Sequence, residues 1–166
     1  MNEACDAAAP DWHAHLWCVV EEVFRTMLET RVERLEVADA GDAGDRPHAC
    51  CAEPPGELLA RVAFRGPRSG AVLLHCSRQG AEEIARGLLR LERGESLARA
   101  EVEDALGECA NLIAGSLKTR VLEDCGVFAL DLPAVRSVRA GADESGPELV
   151  FRTGDGWAAV SIWTAD

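Results

Sequence analysis

The sequence predicts an α+β fold in which a mostly antiparallel sheet packs against one long helix and further helices. Three observations carry that expectation. Apolar residues recur at helical spacing over three segments. Strand-like runs come in neighbouring pairs joined by short turns. Helices and strands fall in blocks, not in the strict alternation that builds a parallel sheet. The length of 166 residues favours one domain, and a hydrophobic content of 48% is enough to bury a sizeable core.

In chain order, residues 1–10 read as a flexible acidic tail and 11–166 as the domain. Asp11 is a candidate N-cap, and Trp12, Leu16, Val19, Val20, Val23, Phe24, Met27 and Leu28 fit one helix running to about Thr30. Residues 31–37 fit a helix end or a strand equally well. Residues 39–57 are rich in Gly, Pro, Asp and Ala and read as a long surface loop. Leu58–Phe64 and Gly70–Cys76 are strands joined by a turn at Arg65–Ser69. Gln79–Leu91 is a second amphipathic helix, with Gly94 as its stop signal. A third helix starts near Leu97 or Ala100 and runs to about Asp124, before Gly126. Val127–Leu132 is a strand halted by Pro133. Glu148–Thr153 and Trp157–Trp163, split by Gly154-Asp155-Gly156, form a last hairpin. Its two tryptophans read as core residues in preference to an interface.

Composition narrows the function. There are 29 acidic and 17 basic residues, a formal net charge of −12. A surface that acidic repels phosphate backbones and anionic lipid, so neither nucleic acid nor membrane is expected as a partner. The sequence has no apolar run long enough for a transmembrane helix and no secretory leader pattern, so a cytoplasmic location is expected. The seven cysteines are odd in number and include no Cys-x-x-Cys pair, which argues against a disulfide framework or a zinc knuckle. His13, His15 and Cys18, or His48, Cys50 and Cys51, lack a second ligand cluster, so no metal site is assigned.

The third helix carries the functional signal. At about 100° per residue, Val102, Leu106, Cys109, Ile113 and Leu117 fall on one side and form a core face. Asp104, Glu108, Asn111 and Gly115 fall within roughly 60° on the other. A polar helix face is usually just solvated. Here, however, Asn is a mediocre helix former, and Gly115 costs about 0.5–1 kcal/mol relative to Ala. Asn111 is also one of only two asparagines in the chain, the other being Asn2. Local rules broken together on one face point to a site.

The segment from Asp104 through Glu108, Asn111 and Gly115 to Lys118 resembles the active-site helix of the CheC/CheX/FliY phosphatases of bacterial chemotaxis, whose motif is Asp or Ser, three residues, Glu, two residues, Asn. The Gly-punctuated run Phe64–Gly70, with Leu132-Pro133-Ala134-Val135 and Gly141, is similar to that family's flanking segments. The chain has a single motif, which resembles the CheX branch. The resemblance covers roughly Leu58–Gly141, reaches more loosely to the first helix and the final hairpin, and does not extend to residues 39–57.

That resemblance implies a protein phosphatase that hydrolyses the phosphoaspartate of a CheY-like response regulator. Asn111 would orient the attacking water, since a side-chain amide both donates and accepts and adds no charge beside a phosphoryl group. Glu108 would anchor the regulator through its active-site lysine. Asp104, Gly115 and Lys118 would complete the contact surface, Gly115 by leaving room for close approach. The chain itself would bind no cofactor, the Mg²⁺ being supplied by the phosphorylated partner, and a homodimer with one site per subunit is implied. The other reading is a non-catalytic module that docks a receiver domain or acts as a scaffold in a two-component system.

Overall fold

The protein is described from a computed structural model, which describes residues 12–35, 57–122, 126–138 and 148–165. Helix α1 is Trp12–Met27, α2 is Arg78–Leu89 and α3 is Arg99–Leu117. The strands are β1 (Glu33–Arg34), β2 (Glu57–Arg65), β3 (Ser69–Cys76), β4 (Ala129–Leu130), β5 (Ala134–Val138), β6 (Glu148–Thr153) and β7 (Gly156–Ala165). They form one sheet in the order β1-β6-β7-β3-β2-β4, with β5 also on β2, and every pairing is antiparallel. The α+β expectation therefore holds. The expected tail at 1–10, the Asp11 cap and residues 39–56 of the expected loop lie outside the described residues. Glu57 does not belong to a loop, because it is the first residue of β2.

Strand alternation decides where the core sits. Leu58, Ala60, Val62 and Phe64 of β2 alternate with the opposite face, as do Val72, Leu74 and Cys76 of β3, Leu149 and Phe151 of β6, and Ala158 and Val160 of β7. All of these are buried in one cluster with the inner residues of the helices. From α1 the cluster takes Leu16, Val19, Val20, Val23 and Phe24, with Leu28 just past its end, and Phe24 meets Phe151 edge-on with ring centroids 5.2 Å apart. Each such side chain is worth about 1.5–3 kcal/mol of apolar burial. Met27, expected on the inner face, is exposed instead.

A single serine fixes where α2 begins. The Ser77 hydroxyl oxygen accepts from the Gly80 N–H at 3.0 Å, and the Ser77 N–H donates to the Trp157 carbonyl at 3.1 Å. The helix start is thereby tied to the start of β7. The two backbones are so close there that a Cβ on Gly156 would stand 2.1 Å from the Gly80 nitrogen. The helix ends earlier than expected. The residue that closes it is Arg90, in the left-handed conformation (φ 53°, ψ 43°), whose N–H caps the carbonyls of Arg86 and Gly87, and Gly94 lies four residues further on.

Two further expectations are corrected along the edge of β2. The strand expected over 127–132 is only Ala129–Leu130, and Pro133 does not close the region, since β5 follows at once. Both strands pair with β2, at Leu130↔Phe64 and Ala134↔Arg61. Val62 and Ala63 thus face three residues, Asp131, Leu132 and Pro133. The extra residue makes a β-bulge, fastened by the Asp131 N–H donating to the Ala63 carbonyl at 2.8 Å. The last hairpin does not form a sheet edge, because β7 lies between β6 and β3 and β6 lies between β1 and β7. Trp157 is half-buried and Trp163 is 49% exposed, so Trp163 is not the core residue expected.

Candidate active site on the face of helix α3

Helix α3 is gripped on most of its circumference. Val102, Ala105, Leu106, Cys109, Ala110, Ile113, Ala114 and Leu117 are buried. Gly107 is buried too, because the β4–β5 segment runs alongside it. A Cβ there would stand 3.4 Å from the Pro133 ring and from Val135. Only one arc of the helix remains open, and it carries the residues the sequence singled out. Asp104 and Glu108 are exposed, and Asn111, Gly115 and Lys118 are half-buried at its border. At about 100° per residue these five span roughly 80°.

The hydrogen bonds separate these groups from their neighbours. Helix α3 has four acidic residues, and two are engaged. Glu101 accepts from the Ala98 N–H at 2.7 Å, capping the start of its own helix. Glu103 takes the Arg99 guanidinium at 2.6 Å, and Arg99 also reaches Ser137 at 3.0 Å. The other two are Asp104 and Glu108. Among the described residues, no hydrogen bond or ion pair engages Asp104, Glu108, Asn111 or the Lys118 ammonium. Helix α3 thus pairs its first two carboxylates and leaves the next two unpaired beside a free amide.

Gly115 stands in the same open arc. A Cβ there would meet nothing within 4 Å, so no internal contact requires glycine at that position. The Cys109 thiol is pushed up to about 12, first by complete burial and then by the charge of neighbouring Glu108.

The helix does not continue in α form to Asp124. It changes to a π-helical turn over Lys118–Leu122, and residues 123–125 lie outside the described part. Lys118 caps α3 through its own N–H, which reaches the carbonyls of Ala114 and Gly115. Arg120 of the turn pairs with Glu22 of α1, which anchors the site helix to the first helix.

Among the described residues, no cluster of three or more His, Cys, Asp or Glu side chains could hold a metal. His15 and Cys18 are exposed on α1, while the His13 side chain and His48, Cys50 and Cys51 lie outside the described residues. No helix among those described is long and apolar enough to cross a membrane. Sequence reasoning did not single out Val127 and Leu132 as surface features. They are each 90% exposed, Leu132 next to the Pro133 that packs on α3 and Val127 near Gly66 of the β2–β3 turn. A strand reading of 127–132 contains no signal for the bulge that turns Leu132 outward.

Among the described residues, then, an antiparallel sheet is backed by three helices, one of which turns two carboxylates and an amide outward. Residues 58–145 match the family described as chemotaxis phosphatase CheX, and the chain belongs to that family. The fold is similar to that of the chemotaxis protein CheX from Vibrio vulnificus, with 21% identity, coverage of 93% of this chain and 97% of that one, and a TM-score of 0.67. It is also similar to CheX from Desulfovibrio desulfuricans, with 17% identity, 92% and 97% coverage, and a TM-score of 0.65. The CheX–CheY–BeF₃–Mg²⁺ complex from Borrelia burgdorferi matches with 18% identity, 94% and 99% coverage, and a TM-score of 0.65. No curated protein sequence matches the chain.

Proposed function

We propose that this protein hydrolyses the phosphoaspartate of a CheY-like response regulator. The observation that carries the proposal is the unpaired Asp104–Glu108–Asn111 face of α3 in a chain of the CheX family. The partner is supported by the B. burgdorferi relative, whose structure holds CheY with BeF₃ and Mg²⁺.

The reaction asks little covalent work of the enzyme. A water oxygen forms a bond to phosphorus, the bond between phosphorus and the aspartyl oxygen breaks, and inorganic phosphate and the free carboxylate result. The water loses its proton to the surrounding solvent or phosphate oxygens. An acyl phosphate is already reactive, so the main task is holding the water in line. Asn111 is suited to that task. Its amide oxygen accepts from the water and its NH₂ donates, and a neutral group adds no repulsion next to the phosphoryl oxygens. Glu108, one turn earlier on the same arc, meets a lysine of the regulator and sets the register. Asp104 faces a second basic group, Lys118 borders the contact, and Gly115 lets the partner's surface come close. The chain needs no metal of its own for these roles, the Mg²⁺ being part of the phosphorylated partner. The implied homodimer places one such face on each subunit.

The test is loss of phosphoryl group from a phosphorylated receiver domain with Mg²⁺, with and without this protein. Acceleration above the receiver's own rate supports the phosphatase. Binding without acceleration supports the non-catalytic docking module instead.

A further inference from the structure

The α3 face is polar, but one of its borders is not. The segment 126–138 leads into a run that passes antiparallel along the first half of α3. Pro133 touches Gly107 and Ser137 reaches Arg99. Along this segment stand Val127 and Leu132, each 90% exposed. The other exposed large apolar side chains among the described residues, Met27, Leu89 and Trp163, are only 45–49% exposed. The two most exposed apolar side chains among the described residues therefore stand on the segment that packs against α3 at Pro133, with Leu132 directly next to that residue.

Neither is a loose end. Leu132 is the middle residue of the bulge. On one side of it, Asp131 donates its N–H to Ala63 and takes Arg65 in an ion pair at 2.7 Å. On the other side, Pro133 is packed on Gly107, one turn before Asn111. Val127 precedes Phe128, which is buried against Phe64 with ring centroids 6.0 Å apart. A bulge re-aims a side chain, and here it turns an apolar one to water on a rigid mount. Single exposed apolar residues are common, but two on one fastened segment, one of them next to the residue that packs on α3, make an apolar rim of the kind that anchors a protein partner.

Resting on the reading of α3 as the receiver-binding face, we infer that Leu132, assisted by Val127, is the apolar docking anchor for the phosphorylated receiver domain. Docking is thus divided from chemistry. The bulge holds the partner, Glu108 sets its register, and Asn111 acts on the water. An apolar contact and a charge contact also differ in their response to salt, because screening weakens only the second.

The experiment measures affinity for a CheY-like receiver domain from the same genome, activated with BeF₃⁻ and Mg²⁺, so that hydrolysis plays no part. Leu132→Asp is expected to lower affinity about tenfold or more, and Val127→Asp by a smaller factor. The loss at Leu132 should persist at high salt, whereas the loss caused by Glu108→Ala should shrink. Both replaced residues are solvent-exposed, so thermal unfolding should be unchanged, and Leu132→Met should retain most of the affinity. If the wild type binds and Leu132→Asp binds equally well, this inference is overturned while the phosphatase reading stands. If the wild type binds without hydrolysing a phosphorylated receiver, the enzyme reading fails and the anchor is judged on affinity alone. A wild type that binds no activated receiver overturns both.

Discussion

His75 Nε2 lies 2.7 Å from Glu57 Oε2 on the sheet face opposite the helices, and both side chains are buried. The two atoms are within ion-pair distance but are not aligned as a hydrogen bond. The imidazole also stands edge-on to Trp157, with ring centroids 5.1 Å apart. A buried polar pair costs free energy when one member is lost, because the survivor keeps its desolvation and loses its partner. Glu57→Ala is therefore expected to destabilise the fold by about 1–3 kcal/mol in a urea titration. The pair is remote from the α3 face, so phosphatase activity per folded molecule should be unaffected.

Gly115 makes a sharper distinction between fold and function. A Cβ there meets nothing within 4 Å, so Gly115→Ala meets no obstacle in the free protein. Helix propensity alone predicts a gain of about 0.5–1 kcal/mol in stability. The added side chain would stand in the arc proposed to receive the partner. A raised melting temperature with weakened receiver binding is the expected pair of results. Weakened stability would show that the glycine serves the fold.

The site helix was legible in the sequence because a helix of known period assigns faces without tertiary information. Its open arc is the one the spacing of Asp104, Glu108, Asn111 and Gly115 marks out. The unpaired state of Asp104 and Glu108 was not legible, since nothing in the spacing says that Glu101 turns back to cap or that Glu103 takes Arg99. The π-helical turn after Leu117 was hidden for a related reason, as the apolar pattern continues through Val121. Strand β5 was missed because Pro133 looks like a stop, and its residues Ala134–Val138 are at most half-buried on a sheet edge and show no strong alternation. The end of α2 was misplaced because a left-handed cap is usually glycine, and here an arginine takes it.

Two buried thiols give the fold a predictable alkaline limit. Burial pushes the Cys76 thiol well above its ordinary range, with nearby Cys109 adding to the rise, and Cys109 is pushed up to about 12. Their folded-state values exceed the unfolded ones, so the neutral thiols contribute fully below about pH 9. Stability should then fall as pH rises from the unfolded value through the folded ones. Denaturation midpoints measured across pH 8–11 should show this decline, and replacing Cys109 with Ala should reduce it. In the native protein at pH 8, an alkylating reagent should modify exposed Cys18 and spare Cys76 and Cys109, as read by peptide mass mapping.

The central claim is that Asn111 positions the water while Glu108 positions the partner. It is tested most directly by single-turnover dephosphorylation of a receiver domain, with this protein in saturating excess, for the wild type, Asn111→Ala and Glu108→Ala. Asn111→Ala is expected to lower the saturated rate by about 10²–10³ with receiver affinity retained, the size of loss seen for one well-placed hydrogen-bonding group. Glu108→Ala should chiefly demand more protein to reach saturation. An Asn111→Ala protein that dephosphorylates the receiver at the wild-type saturated rate would contradict the account.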